Sequence, residues 1–147
     1  MGLDVQSEIV IDCAVDLVAA FAADPSNAPK WYVNIKKVQW ETAPPLAQGS
    51  VVSFIAHFMG KRIAYTYKMI EVIPGERLIM RTEQGPFPME TTYTWLAIDP
   101  GSTRMTLRNH GQPAGFSKLM RPFMAIAVKR ANRKDLACLK QILETTR

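Results

Sequence analysis

The sequence has two imidazoles, His57 and His110, the usual first choice for moving a proton near neutral pH. Neither has a partner at a useful spacing. No Ser–His–acid or Cys–His arrangement can be traced, and two histidines without ligand spacing do not make a metal site. Strand parity turns both outward: His110 shares a face with Arg104 and Arg108, and Phe54 with Phe58 is the stronger inner pair beside His57. Cys13 and Cys138 stand far apart and read as reduced thiols. A phosphate-cradling glycine loop and a dinucleotide fingerprint are both missing, so no cofactor is expected. What remains is a set of hydroxyls and one amide, Tyr65, Tyr67, Thr91, Tyr93 and Asn109. Such groups orient a ligand or stabilise a developing enolate in a site that excludes water. Glu83 and Glu90 lie close by in the sequence, but parity points Glu90 outward. The inner face therefore lacks a base, and the sequence names no catalytic residue.

These polar groups ride on segments that alternate like antiparallel strands. Residues 61–73 put Lys68, Ala64 and Thr66 on one side and Ile63, Tyr65, Tyr67 and Met69 on the other. In 77–84, Arg77 and Arg81 mark the outside and leave Leu78, Met80 and Thr82 inside. Residues 87–98 turn Met89, Thr91, Tyr93 and Trp95 inward, and 102–110 do the same with Met105, Leu107 and Asn109. Turn residues separate these segments at Pro74-Gly75-Glu76, Gln84-Gly85-Pro86 and Asp99-Pro100-Gly101-Ser102. Further strands are expected at 4–12, 33–42 and 50–59, about seven in all. Between the first two, residues 14–23 read as a short helix. Asp24-Pro25-Ser26-Asn27 breaks it and starts a second one ending near Trp31.

A concave sheet face this bulky needs a cover, and only the last third of the chain can supply it. From Gly115 to Arg147 apolar residues recur at helical spacing: Leu119, Phe123, Ala127, Ala131, Leu136, Leu139 and Leu143. Pro122 is either a kink at a cavity mouth loosened by Gly111, Pro113 and Gly115, or a first-turn residue of the main helix. The expected lining of a cavity between sheet and helix is Tyr65, Tyr67, Met80, Tyr93, Trp95, Met105 and Asn109 from the strands. Phe116, Met120, Phe123 and Met124 complete it from the helix. Aromatic walls bind flat or greasy molecules, and a few polar atoms set their orientation.

The positive charge is local. Residues 115–147 hold eight bases and two acids, a net +6, whereas the rest holds ten bases and eleven acids, a net −1. This face reads first as a solvated helix surface and second as a weak contact for acidic membrane. The helix bases lack aromatic interleaving, so no dedicated nucleic-acid binding is expected. A homodimer is compatible with the surface, but no symmetry is specified. No apolar run approaches the roughly 20 residues of a membrane span. The N-terminus lacks a basic flank before an apolar core, which points to a cytoplasmic protein. At 147 residues and 48% apolar composition, residues 1–147 are expected to form a single ligand-binding domain.

The order of one strand, two short helices, six strands and a long helix resembles the helix-grip fold of the START and birch-pollen-allergen-like superfamily. More closely, the chain is similar to its bacterial polyketide cyclase/dehydrase-like proteins. The carriers are Ile9-Val10-Ile11, Asp24-Pro25-Ser26-Asn27 with Trp31, Gly85-Pro86-Phe87-Pro88-Met89 through Tyr93-Thr94-Trp95, Thr103 to Leu107, and the Ala131–Leu143 helix segment. The resemblance implies an α+β architecture, a curved antiparallel sheet wrapped around the C-terminal helix. It also implies a cavity for a small hydrophobic or aromatic ligand such as a lipid, quinone or polyketide. A cyclase or dehydrase using the same cavity, and a basic-helix docking module, are the alternatives.

Overall fold

The structure, a computed structural model, describes residues 2–58, 60–84, 88–112 and 121–145. Strand β1 (Leu3–Ile11) leads into helix α1 (Val15–Ala23), a single 3-10 turn (Pro25–Asn27) and the one-turn helix α2 (Ala28–Trp31). Strands β2 (Ile35–Trp40), β3 (Val51–Phe58), β4 (Lys61–Ile73), β5 (Arg77–Gln84), β6 (Met89–Asp99) and β7 (Ser102–Gly111) follow, then helix α3 (Arg121–Thr145). The seven strands form one antiparallel sheet in the order β1-β7-β6-β5-β4-β3-β2. β1 and β2 thus lie at opposite edges, and α1 and α2 carry the chain between them. This is the helix-grip fold.

Local chemistry explains the connections. The Asp24 carboxylate accepts a hydrogen bond from the Ser26 amide at 3.0 Å, and Pro25 opens the 3-10 turn with its φ already set. Gly75 takes φ +78° in the tight turn between β4 and β5, a conformation that other residues adopt at a cost. Gly111 answers to a different need. A Cβ there would stand 2.3 Å from the Pro88 carbonyl oxygen, so the ends of β6 and β7 meet only because it has none. Register shifts interrupt the pairing at Ile35/Lys37, Thr66/Tyr67, Met69/Glu71 and Ala97/Asp99. Bulges of this kind bend and twist the strands that carry them, which lets a seven-strand sheet wrap a helix.

The C-terminal half of α3 is fastened to β1 and to the core. Leu136, Leu139 and Leu143 are buried with Ile11, Val18, Met105 and Leu107. At the edge, the Lys140 ammonium donates to the Val10 carbonyl at 2.8 Å, and the Asp12 amide donates to the Glu144 carboxylate at 2.8 Å. A second, smaller apolar cluster joins Leu3, Val5 and Met89 to Met124 and Val128. Polar side chains are buried along the elements that link the two clusters. Ser7 sits between Val5 and Ile9 on β1, and Asn132 sits between Val128 and Leu136 on α3. Two aromatic residues support the sheet's inner face from α2 and β6, with Trp31 and Tyr93 rings 5.7 Å apart.

The helix differs from its expected phase near its start. Phe123 is 63% exposed, and Met124 and Val128 take the inward positions instead. Pro122 is the second residue of α3 as described. Residues 113–120, with Phe116 and Met120, lie outside the described residues. Among the described residues no helix is long and apolar enough to cross a membrane. Cys13 and Cys138 are both free thiols.

Leu139 is fully buried and Leu17 is 58% exposed, which sets up a direct comparison. Leu139→Ala is expected to destabilise the protein by about 2–5 kcal/mol. Leu17→Ala should change stability by about 0.5 kcal/mol or less. Urea denaturation followed by circular dichroism measures both, and equal effects would contradict the packing described for α3.

Candidate functional site

A cavity of about 140 Å³ opens between the inner face of the sheet, the α1–α2 corner and the first half of α3. Its size is close to that of a roughly 150 Å³ protein cavity known to take up benzene. Alternation along the strands delivers one wall: Phe54 and Ala56 from β3, Tyr65, Tyr67 and Met69 from β4, and Leu78 and Met80 from β5. Met89, Thr91 and Tyr93 of β6 and Asn109 of β7 continue it. The opposite wall comes from Ala28, Tyr32 and Ile35 and, on α3, from Met124, Val128, Ala131, Asn132 and Asp135.

Polar atoms in this cavity form two groups. In the first, the Thr91 hydroxyl donates to the Asn109 side-chain carbonyl at 2.7 Å. The Asn109 amide in turn donates to the Asn132 carbonyl at 3.2 Å. Tyr67 lines the same cavity from β4. The Asn132 amide nitrogen ends this chain without a partner, although the residue is only 4% exposed. A buried donor left unpaired costs about 1–3 kcal/mol, so it is available to any acceptor that enters the cavity.

The second group surrounds Asp135. The Tyr32 and Tyr93 hydroxyls share a hydrogen bond. Burial raises the pKa of both phenols well above the usual tyrosine range, and burial pushes Tyr65 up to about 12. All three are therefore protonated donors at neutral pH. Asp135 is 2% exposed and accepts the Val33 amide at 2.8 Å. Desolvation raises its carboxyl pKa to about 7, and the hydrogen bond from the Val33 amide lowers it only in part. A carboxyl that titrates near 7 holds or releases a proton equally well at physiological pH, as general acid–base work requires.

The expected lining thus divides. Tyr65, Tyr67, Met80, Tyr93, Asn109 and Met124 line the cavity. Trp95 and Met105 point to the correct side of the sheet but are packed in the core, at 4% and 0% exposure. Trp95 instead borders a separate groove beside α1 and the Pro44–Leu46 segment. Phe123 faces away from the sheet and is corrected to a surface residue. Among the described residues the sheet brings no carboxylate or imidazole to the cavity, as expected of its inner face, and the carboxylates that line it come from elsewhere, Asp24 before the 3-10 turn and Asp135 on α3. Asp135, Asn132 and Tyr32 escape the sequence reading. Yet Asn132 and Asp135 stand seven and four residues before Leu139, the spacing that assigns Leu136 and Leu143 to the interior. His57 and His110 are exposed, and Glu90 is bound outside to Arg81 at 2.8 Å. Among the described residues no group of three or more His, Cys, Asp or Glu side chains could hold a metal ion.

Comparisons with known proteins agree with this architecture. The family described as polyketide cyclase/dehydrase and lipid transport matches residues 3–144. No curated protein matches the chain by sequence. Among solved structures, the START superfamily protein from Mycobacterium smegmatis is similar at a TM-score of 0.85 and 11% identity, covering 99% of each chain. The Zhui aromatase/cyclase from Streptomyces sp. R1128 superposes with a TM-score of 0.82 at 18% identity, over 98% of this chain and 94% of that one. Major latex-like protein 151 from Panax ginseng gives 0.76 at 9% identity, over 97% of each. At these identities the likeness is one of fold.

The raised pKa of Asp135 sets a pH dependence. Its folded pKa, about 7, lies above the ordinary carboxyl value of 3.8. Below pH 4 both states are protonated and nothing is lost. Between about pH 4 and 7 the unfolded state ionises first, so stability falls as pH rises and levels off above 7. Asp135→Asn retains an acceptor for Val33 and removes the ionisation. The variant should gain on the wild type through that window, by roughly 2–4 kcal/mol at pH 8. Denaturation curves at several pH values check this, and a difference independent of pH would contradict it.

Proposed function

The chain belongs to the polyketide cyclase/dehydrase and lipid transport family, and we propose that it binds a small hydrophobic or aromatic ligand in the cavity between sheet and α3. The observation that carries this reading is an apolar, aromatic-walled space of about 140 Å³ that contains an unpaired amide donor, Asn132 Nδ2. The volume suits one aromatic ring or a short apolar chain, with a polar oxygen of the ligand against Asn132. In this reading Tyr65, Tyr67, Met80, Tyr93 and Met124 contact the ligand's apolar body, and Asn109 holds Asn132 in place. A single-ring quinone or a small aromatic metabolite fits that description.

Native mass spectrometry of the protein after incubation with a cell extract tests the reading. A bound species of defined mass is expected in the wild type. Val128 is 8% exposed on the cavity wall, so Val128→Trp must drive its ring into the space. The variant should lose the bound species, and with it any ligand-dependent rise in melting temperature. Retention of the same ligand by a folded Val128→Trp variant would overturn the assignment of the cavity.

One observation favours a second reading, in which the cavity also catalyses a cyclisation or dehydration. Asp135 is a carboxylate of the cavity wall whose proton moves near neutral pH. It can take a proton from a carbon next to a ketone while Asn132 and the phenols stabilise the enolate oxygen, then return the proton to a leaving hydroxyl. Asp135→Asn is expected to lower turnover of a poly-ketone substrate by about 10²-fold or more while leaving its binding within a few-fold. Undiminished turnover in that variant would remove the catalytic role and leave the binding role standing.

A further inference from the structure

The first turns of α3 carry a surface that the cavity does not explain. Phe123 is 63% exposed and Ile126 is 60% exposed, and three residues apart they share one helix face. Pro122 beside them is exposed as well. The next two turns expose Lys129, Arg130, Arg133 and Lys134. Arg130 and Lys134 continue the same face, four residues apart, with Lys129 and Arg133 flanking it. The ion pairs found among the described residues are Arg77–Glu71, Arg81–Glu90, Arg108–Asp4 and Lys140–Glu144, so none engages these four cations. The two acids of α3 do not compensate them: Asp135 is buried in the cavity, and Glu144 binds Lys140.

From this we infer that the outer face of α3, from Phe123 to Lys134, docks onto an anionic lipid bilayer. Four unpaired cations at helical spacing are attracted to acidic headgroups. The adjacent Phe and Ile gain by leaving water for the acyl boundary beneath those headgroups. A nucleic-acid backbone offers the cations the same phosphates but gives Pro122, Phe123 and Ile126 no apolar layer to enter. A second copy of the chain would set four cations against four cations. Of these three, the bilayer satisfies both halves of the patch. Met124 and Val128, on the opposite side of the same turns, line the cavity, so docking would hold that wall at headgroup level. The inference does not depend on what the cavity binds.

Co-sedimentation of the full chain with vesicles tests it. The protein is expected to sediment with mixed phosphatidylcholine–phosphatidylglycerol vesicles, not with phosphatidylcholine alone, and to be released by salt. Phe123→Ser with Ile126→Ser keeps the charge, and Arg130→Gln with Lys134→Gln keeps the apolar pair. Each double variant should weaken partitioning roughly tenfold or more while its circular dichroism spectrum stays that of the wild type. No association with anionic vesicles at low salt would overturn the proposal. So would unchanged vesicle binding by the serine variant together with equal retention of a short RNA, which marks a general polyanion patch.

Discussion

The seating of Leu136, Leu139 and Leu143 in the concave face of the sheet is the contact on which the other features depend. It fixes both the depth and the rotation of α3, because residues three or four apart on a helix must face the same way. With that rotation set, Asp135, Asn132, Val128 and Met124 are carried inward whether or not their side chains suit an apolar interior. The sheet is bent by bulges, and one straight helix cannot fill the whole of a bent surface. The half of α3 that holds the leucines is packed into the core. Over the other half the wall retreats, and the cavity is the space left between.

Buried polar groups in that space oppose folding, and the structure meets most of the opposition internally. Thr91, Asn109 and Asn132 hand hydrogen bonds across three elements, Tyr32 and Tyr93 satisfy each other, and Val33 supplies an amide to Asp135. A network of this sort is strongly directional in a low dielectric, so it selects one register of helix on sheet where apolar contacts alone would tolerate several. Two deficits remain inside it, the Asn132 amide without an acceptor and the Asp135 carboxyl without a cation. Both could have been avoided by leucines of similar size. Deficits that cost stability and are placed together on a cavity wall identify the part of the interior shaped by something other than packing.

Most of the sheet was legible in the sequence because period-two alternation leaves no intermediate phase. Arg77, Arg81, Arg104 and Arg108 each mark the outside of a strand, and their neighbours Leu78, Met80, Met105 and Leu107 are buried as a result. Alternation gives the face but not the distance along it, so Trp95 and Met105 were indistinguishable from true cavity residues. The helix was harder. Leu119, Phe123, Ala127 and Ala131 recur every four residues, and four steps overshoot a 3.6-residue turn by about 40° each time. Followed over three repeats, that row leaves the buried stripe, which explains why Phe123 emerges on the surface. Asp135 and Asn132 were missed for the opposite reason: polar residues on a helix are assigned to solvent unless the leucines around them are used to set the phase first.

The same rotation separates the charge of the protein from its interior. Four of the eight bases of residues 115–147, Lys129, Arg130, Arg133 and Lys134, are exposed on the outer face, while desolvation raises the carboxyl pKa of Asp135 on the inner one. Had a lysine or arginine been turned inward beside Asp135, its carboxyl would be fixed as the anion and the proton would no longer be exchangeable near pH 7. Keeping the cations outside is therefore a condition for the chemistry available inside. Helix α3 does both because one of its faces is buried against the sheet and the other meets water.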